Sequence, residues 1–89
     1  MKLKVLLPIV EERFKTINKE LLEKHIKAVK ENGGYNNLSN RIAWDCLHAT
    51  FKSQEICDWY DKYACNDNHI TTLAVNAFNK VFGGDFLNV

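Results

Sequence analysis

Apolar residues return at intervals of three and four along most of the chain, which is the repeat of a helix face. After Pro8, one line runs Val10, Phe14, Ile17, Leu21. A second runs Leu22, Ile26, Val29, shifted sideways by one position. One helix reaching Asn32, bent where the stripe shifts, accounts for both lines. A break between Thr16 and Asn18 is the alternative. The helix formers from Lys19 to Lys30 favour the single helix, with Glu20–Lys24 and Glu23–Lys27 at i, i+4. Pro8 suits its first turn, where a missing N–H costs nothing.

Three further helices follow. Ser39 has the side chain of an N-cap, and Ile42, Ala43, Cys46, Leu47, Thr50 and Phe51 then make one broad apolar face as far as about Lys52. Ser53 is placed to cap a short third helix whose apolar side is Ile56, Trp59, Tyr60 and Tyr63. Asp67 is placed to cap a fourth, with Ile70, Leu73, Ala74, Ala77, Phe78 and Val81 in regular register. Gly33-Gly34 and Gly83-Gly84 fall just past helical patterns, where a C-terminal cap needs a left-handed residue. Met1 to Leu7 instead alternates Leu3, Val5, Leu7, a strand period, with only Phe86 to Val89 available to pair. An isolated strand pair is marginal, so this segment reads as extended or irregular. The expected architecture is all-α: a single domain over residues 1–89, a compact bundle of about four helices with short loops, and an extended N-terminal segment.

Composition changes the picture mainly by exclusion. A net charge of +1 argues against a basic protein that coats DNA, and equally against an acidic DNA mimic. Eight Lys or Arg against four Glu in the first thirty residues read as a solvated helix face. Three Cys cannot all pair, and no signal peptide is visible, so reduced thiols in a cytosol are expected. The run Val5-Leu6-Leu7 is too short for a signal sequence or a membrane span. The expected setting is cytoplasmic and soluble, with no membrane.

Chemistry-bearing residues crowd into Arg41–Phe82, which holds both Trp, all three Cys and two of three His. Zinc needs four converging ligands. Cys65-x-x-x-His69 could supply two, but Cys46 and His48 point to different sides of one helix, and Cys46 belongs to the apolar face. A nucleophile needs a base within hydrogen-bond reach. Cys65 and His69 are the one plausible couple, against the plainer reading that His69 sits in a first helical turn with Cys65 packed below. Asp58 and Asp61 look like a solvent side rather than a magnesium site. The expectation is therefore no catalysis, no metal and no cofactor.

Binding remains. Ten aromatics exceed what a core this small can enclose, so some of Tyr35, Trp44, Trp59, Tyr60, Tyr63 and Phe86 should reach the surface, where Trp and Tyr anchor interfaces. Trp44 and His48, four apart on one helix, and the tail Asp85–Val89 are the candidate contact surfaces. Trp44, His48, Trp59, Tyr63, Cys65 and His69 form the candidate site. A homodimer could use the same area. Nucleic acid is the less favoured partner: a helix-turn-helix would lead with Asn68, His69, Thr71, Thr72 and Asn76, which carry little positive charge.

At R-I-A-W-D, and again at I-C-D-W-Y-D-K-Y-A-C-N-D-N-H-I-T-T, the chain resembles small accessory proteins encoded by tailed bacteriophages and prophages of enteric bacteria. The resemblance covers most of the chain and is most specific over Arg41–Thr72. It supplies no catalytic residues. It implies a protein that binds and modulates or inhibits a host or defence protein in the bacterial cytoplasm.

Overall fold

A break at residues 15–18 organises the first third of the molecule. In the computed structural model, which describes residues 2–88, Leu7–Phe14 form helix α1 and Lys19–Asn32 form α2. The single long helix expected from the sequence is thus two. Local hydrogen bonds explain the break. The Thr16 hydroxyl donates to the Arg13 carbonyl at 2.6 Å, and Asn18, in extended conformation, accepts the Leu21 N–H on Oδ1 at 3.1 Å. Thr and Asn offer the backbone alternatives to the helix ladder, and here they take them. Once broken, the chain turns both stripes inward. Val10 and Phe14 are buried on α1, and Leu22, Ile26 and Val29 on α2. Leu21 drops out of the first line and is left 63% exposed.

Helices α3 (Leu38–Thr50), α4 (Ser53–Lys62) and α5 (Asp67–Phe82) follow, making five α-helices among the described residues rather than about four. Their caps lie one or two residues before the expected ones. Asn37, not Ser39, caps α3, its Oδ1 accepting the Asn40 N–H at 3.0 Å. Asn66, not Asp67, caps α5, and Lys52 rather than Ser53 occupies the cap position of α4. Phe51 and Lys52 are both extended, which returns Phe51 to the core before α4 begins. Gly33 and Gly83 do end α2 and α5 at positive φ, as the sequence predicts.

The N-terminal segment is not extended: Lys2–Leu6 is a 3₁₀ helix running into α1. The reason is packing. Leu3 and Leu6 are three apart, eclipse each other in a 3₁₀ turn and both reach the core, whereas the alternating set would have turned Val5 inward. Met1 and Val89, which entered the possible strand pair, lie outside the described residues. Gly84–Asn88 form a second 3₁₀ turn, held against α5 by ring contacts of Phe86 with Phe82 (5.2 Å) and Phe78 (6.2 Å). Among the described residues there is no strand.

Helix α5 is the central element, packed against both α1 and α3. Ala74 and Ala77 let those neighbours approach closely, while Ile70, Leu73 and Phe78 fill the space between. Helix α4 closes one side through Ile56 and Trp59, the latter edge-on to Phe51 with centroids 5.1 Å apart. Every buried residue among those described is apolar. Arg13 ties α1 to the end of α3, donating to the Thr50 carbonyl at 2.8 Å while stacking on Phe51.

Candidate functional site

The six residues named from sequence separate into two places and one core position. Trp59 is the core position. It is 7% exposed, wedged against Phe51, and so is not a surface aromatic.

The first place is the corner between α4 and α5. Tyr63 ends α4, half-buried, with the Lys62 ammonium 5.5 Å from its ring. Ala64 takes a positive φ of 48°, which reverses the chain within one residue. Cys65 then donates its thiol to the Trp59 carbonyl at 3.3 Å, and burial pushes its pKa up. Asn66 and His69 bond reciprocally: the His69 N–H donates to Asn66 Oδ1, and the Asn66 N–H donates to His69 Nδ1, both at 3.1 Å. That is a capping box with imidazole in the position usually held by Glu or Gln. The structure gives no hydrogen bond between Cys65 and His69. His69 Nδ1 is already taken up in accepting the Asn66 N–H, and burial biases the Cys65 thiol toward its protonated form. The Tyr60 hydroxyl donates to the Asp67 carboxylate, and this bond, with burial, lifts the tyrosine pKa to about 12. Asp58, bonded to Gln54, and Asp61 face solvent.

The second place is the outer side of α3. Trp44 and His48 stack, with centroids 5.8 Å apart and rings inclined by 26°, as i, i+4 spacing predicts. The Trp44 indole N–H donates to Thr71 Oγ1 on α5 at 2.8 Å, and that hydroxyl donates to the Asp67 carbonyl. Trp44 is therefore half-buried and fixed in orientation, and it holds the exposed His48 in turn. His48 stands on one wall of an open groove of about 590 Å³ between α3 and the start of α2. Asp45, Ala49 and Thr50 continue that wall; Ile17, Leu21 and Leu22 face it. Cys46 lies against the groove at 2% exposure, its pKa raised to about 12, chiefly by burial.

A polar bridge spans the groove's end. His25 Nε2 lies 2.7 Å from Asp45 Oδ2, and the Arg41 guanidinium donates to the same carboxylate at 3.0 Å. This cluster was missed from the sequence. Arg41 and Asp45 could have been paired by their i, i+4 spacing, but nothing local brings His25 to them. A smaller cleft of about 360 Å³ lies between α3 and α5, lined by Asn40, Asn68, Thr72 and Asn76 among others. Among the described residues, no group of three or more His, Cys, Asp or Glu is arranged to hold a metal ion. No described helix is long and apolar enough to cross a membrane. Comparison with protein-family models, curated proteins and solved structures finds no match for this chain.

Proposed function

We propose that this chain is a non-enzymatic protein-interaction module, encoded by a phage or prophage, that docks on a host or defence protein in the bacterial cytoplasm. What supports the reading is the α2–α3 groove. It sets the His48 ring, held from behind by its stack on Trp44, across an open cleft from an exposed aliphatic, Leu21. Hot spots combine these properties: an oriented ring, an apolar neighbour and polar groups at the rim. The tail, the other candidate surface, offers less, because Phe86 and Leu87 are half-buried against the core. Phage origin rests on the sequence resemblance alone.

The test has two stages. A partner is captured from bacterial lysate with the wild-type chain, then purified and titrated by calorimetry. Leu21→Glu and His48→Ala should each weaken binding at least tenfold, while Cys57→Ser, an exposed change on α4, should not. Equal affinity of all four chains would reject the groove as the docking surface.

A second reading, nucleic-acid binding, has one observation in its favour. The exposed side of α5 carries Asn68, Thr72, Asn76 and Asn79, and carboxamides can bond base edges. Few cations flank them, and phosphate contacts supply most non-specific affinity. A gel shift that weakens steeply with salt, unaffected by Leu21→Glu, would favour this reading over the first.

A further inference from the structure

Helix α2 is joined to the rest of the molecule at two points that bend. Before it, the chain leaves the helical path at Thr16–Asn18, where both side chains bond backbone three residues away. After it, Gly33 and Gly34 both take positive φ, 64° and 73°, and beyond the chain neighbours no atom lies within 4 Å of where either side chain would start. Glycine makes such a turn without steric cost. Phe14 on one side and Tyr35 on the other are packed on the core. The stretch between them has a pivot at each end.

Packing between the pivots is light. Helices α1, α3 and α5 lie close on one another, and among the described residues α2 belongs to none of these close pairings. Of its 14 residues, Leu22, Ile26 and Val29 are buried. The Tyr60–Asp67 bond ties α4 to α5. The corresponding tie of α2 to α3 is His25, whose Nε2 lies 2.7 Å from Asp45 Oδ2, and both side chains of that pair are open to water. An open pair of this kind adds little, and elements with few buried apolar contacts are the ones that open ahead of global unfolding. What α2 borders is the groove. Its Leu22 and His25 line that space together with Cys46 of α3, which is 2% exposed.

We infer that α2 is a hinged lid on the α2–α3 groove, latched by His25 and Asp45, which opens while α1, α3 and α5 stay folded and bares Cys46. Once detached, a helix of 14 residues is at the margin of stability in water, so its amides then exchange with solvent. The lid is a property of the chain alone and does not depend on a protein docking in the groove.

Native-state hydrogen exchange of the full chain, read amide by amide by NMR at low denaturant, tests this. Amides in residues 22–29 should be protected about tenfold less than those in residues 73–77, and with less than about half the denaturant slope of global unfolding. Asp45→Ala leaves the sequence of α2 unchanged and should lower its protection about threefold. Asn66→Ala, at the cap of α5, should lower protection in α5 but not in α2, because that cap persists when the lid is open. In a chain carrying Cys57→Ser and Cys65→Ser, a maleimide should modify Cys46 at a rate that follows α2, faster in Asp45→Ala and unmoved by Asn66→Ala. Circular dichroism melts confirm that each variant is folded; if the double serine variant is not, all three cysteines are kept and the modified one is read by peptide mass spectrometry. Four results would each overturn the proposal: α2 protected as strongly as α5 with the same slope, α2 indifferent to Asp45→Ala, α2 loosened as much as α5 by Asn66→Ala, or Cys46 modified only at the rate of global unfolding.

Discussion

The α4–α5 corner and the α2–α3 groove draw on the same kinds of side chain, and only the groove is left open. The corner holds a thiol, an imidazole, a phenol and a carboxylate, and each is engaged within a few residues of itself. Tyr60 meets Asp67, Cys65 meets the Trp59 carbonyl, and His69 meets the Asn66 N–H. The groove also holds a thiol, imidazoles and a carboxylate, but its principal polar bond, His25 to Asp45, spans twenty positions. Around that bond the cleft faces solvent. Density of reactive residue types along a sequence is thus a poor guide to a site. The corner is crowded because a sharp chain reversal needs caps; the groove is sparse in sequence because its walls come from two distant helices.

The strongest test of this contrast sets one tryptophan against the other. Trp59→Ala removes a large ring from the core beneath the corner and should cost about 3–5 kcal/mol, a large part of the stability of a domain this size. Trp44→Ala removes a half-buried ring and one hydrogen bond, and should cost clearly less. Thermal and denaturant unfolding followed by circular dichroism would measure both. If Trp44→Ala proved the more damaging, the ring that holds His48 beside the groove would be part of the structural core and the contrast would be lost.

A smaller effect is expected at the cap. Asn66→Ala breaks the reciprocal bonds with His69 and should cost about 1 kcal/mol, or roughly 4–8 °C in melting temperature for a chain of this length. His69→Ala should cost less, since the Asn66 side chain still holds the first turn. A loss of activity toward some substrate on replacing His69, with stability unchanged, would instead mark the corner as a reactive site.

These two regions also mark where the sequence could be read and where it could not. The stripes of α3 and α5, the glycine caps and the buried Cys46 follow from spacing alone, because each depends on residues within a turn or two. The corner was legible as a helix start for the same reason, although the capping residue was placed one position late. The break at Thr16–Asn18 was visible only as a sideways step in the stripe. It was outweighed by the helix formers after Lys19, since propensity cannot count the hydrogen bonds that Thr16 and Asn18 make to the turn. That break sets the direction of α2, and with it the groove, the exposure of Leu21 and the meeting of His25 with Asp45. Missing one local turn therefore hid the whole long-range feature.

Alkaline pH offers a gentler probe of the corner. The Tyr60 pKa stands near 12 in the folded chain, first because its hydroxyl donates to Asp67 and then because of burial, against an ordinary value of 10.0. A group whose folded pKa is raised contributes stability that is complete below its unfolded pKa and is lost as pH rises through the folded one. The Tyr60–Asp67 contribution should therefore be full below about pH 10 and fall away between about pH 10 and 12. Melting temperature followed from pH 8 upward should decline more steeply for wild type than for Tyr60→Phe. Parallel curves would show that the phenol makes no net contribution.

The smallest expected effect lies on the groove's rim, and there a null result carries the information. Leu21 is open to water and His48 touches mainly the ring of Trp44, so Leu21→Glu and His48→Ala should each leave the unfolding free energy within about 0.5 kcal/mol of wild type, at unchanged denaturant slope. Folding then gives no reason to keep Leu21 apolar, whereas the proposed docking would. If Leu21→Glu instead cost several kcal/mol, the leucine would be packing against the groove floor, and the cleft would be a closed part of the core rather than a place for another protein to dock.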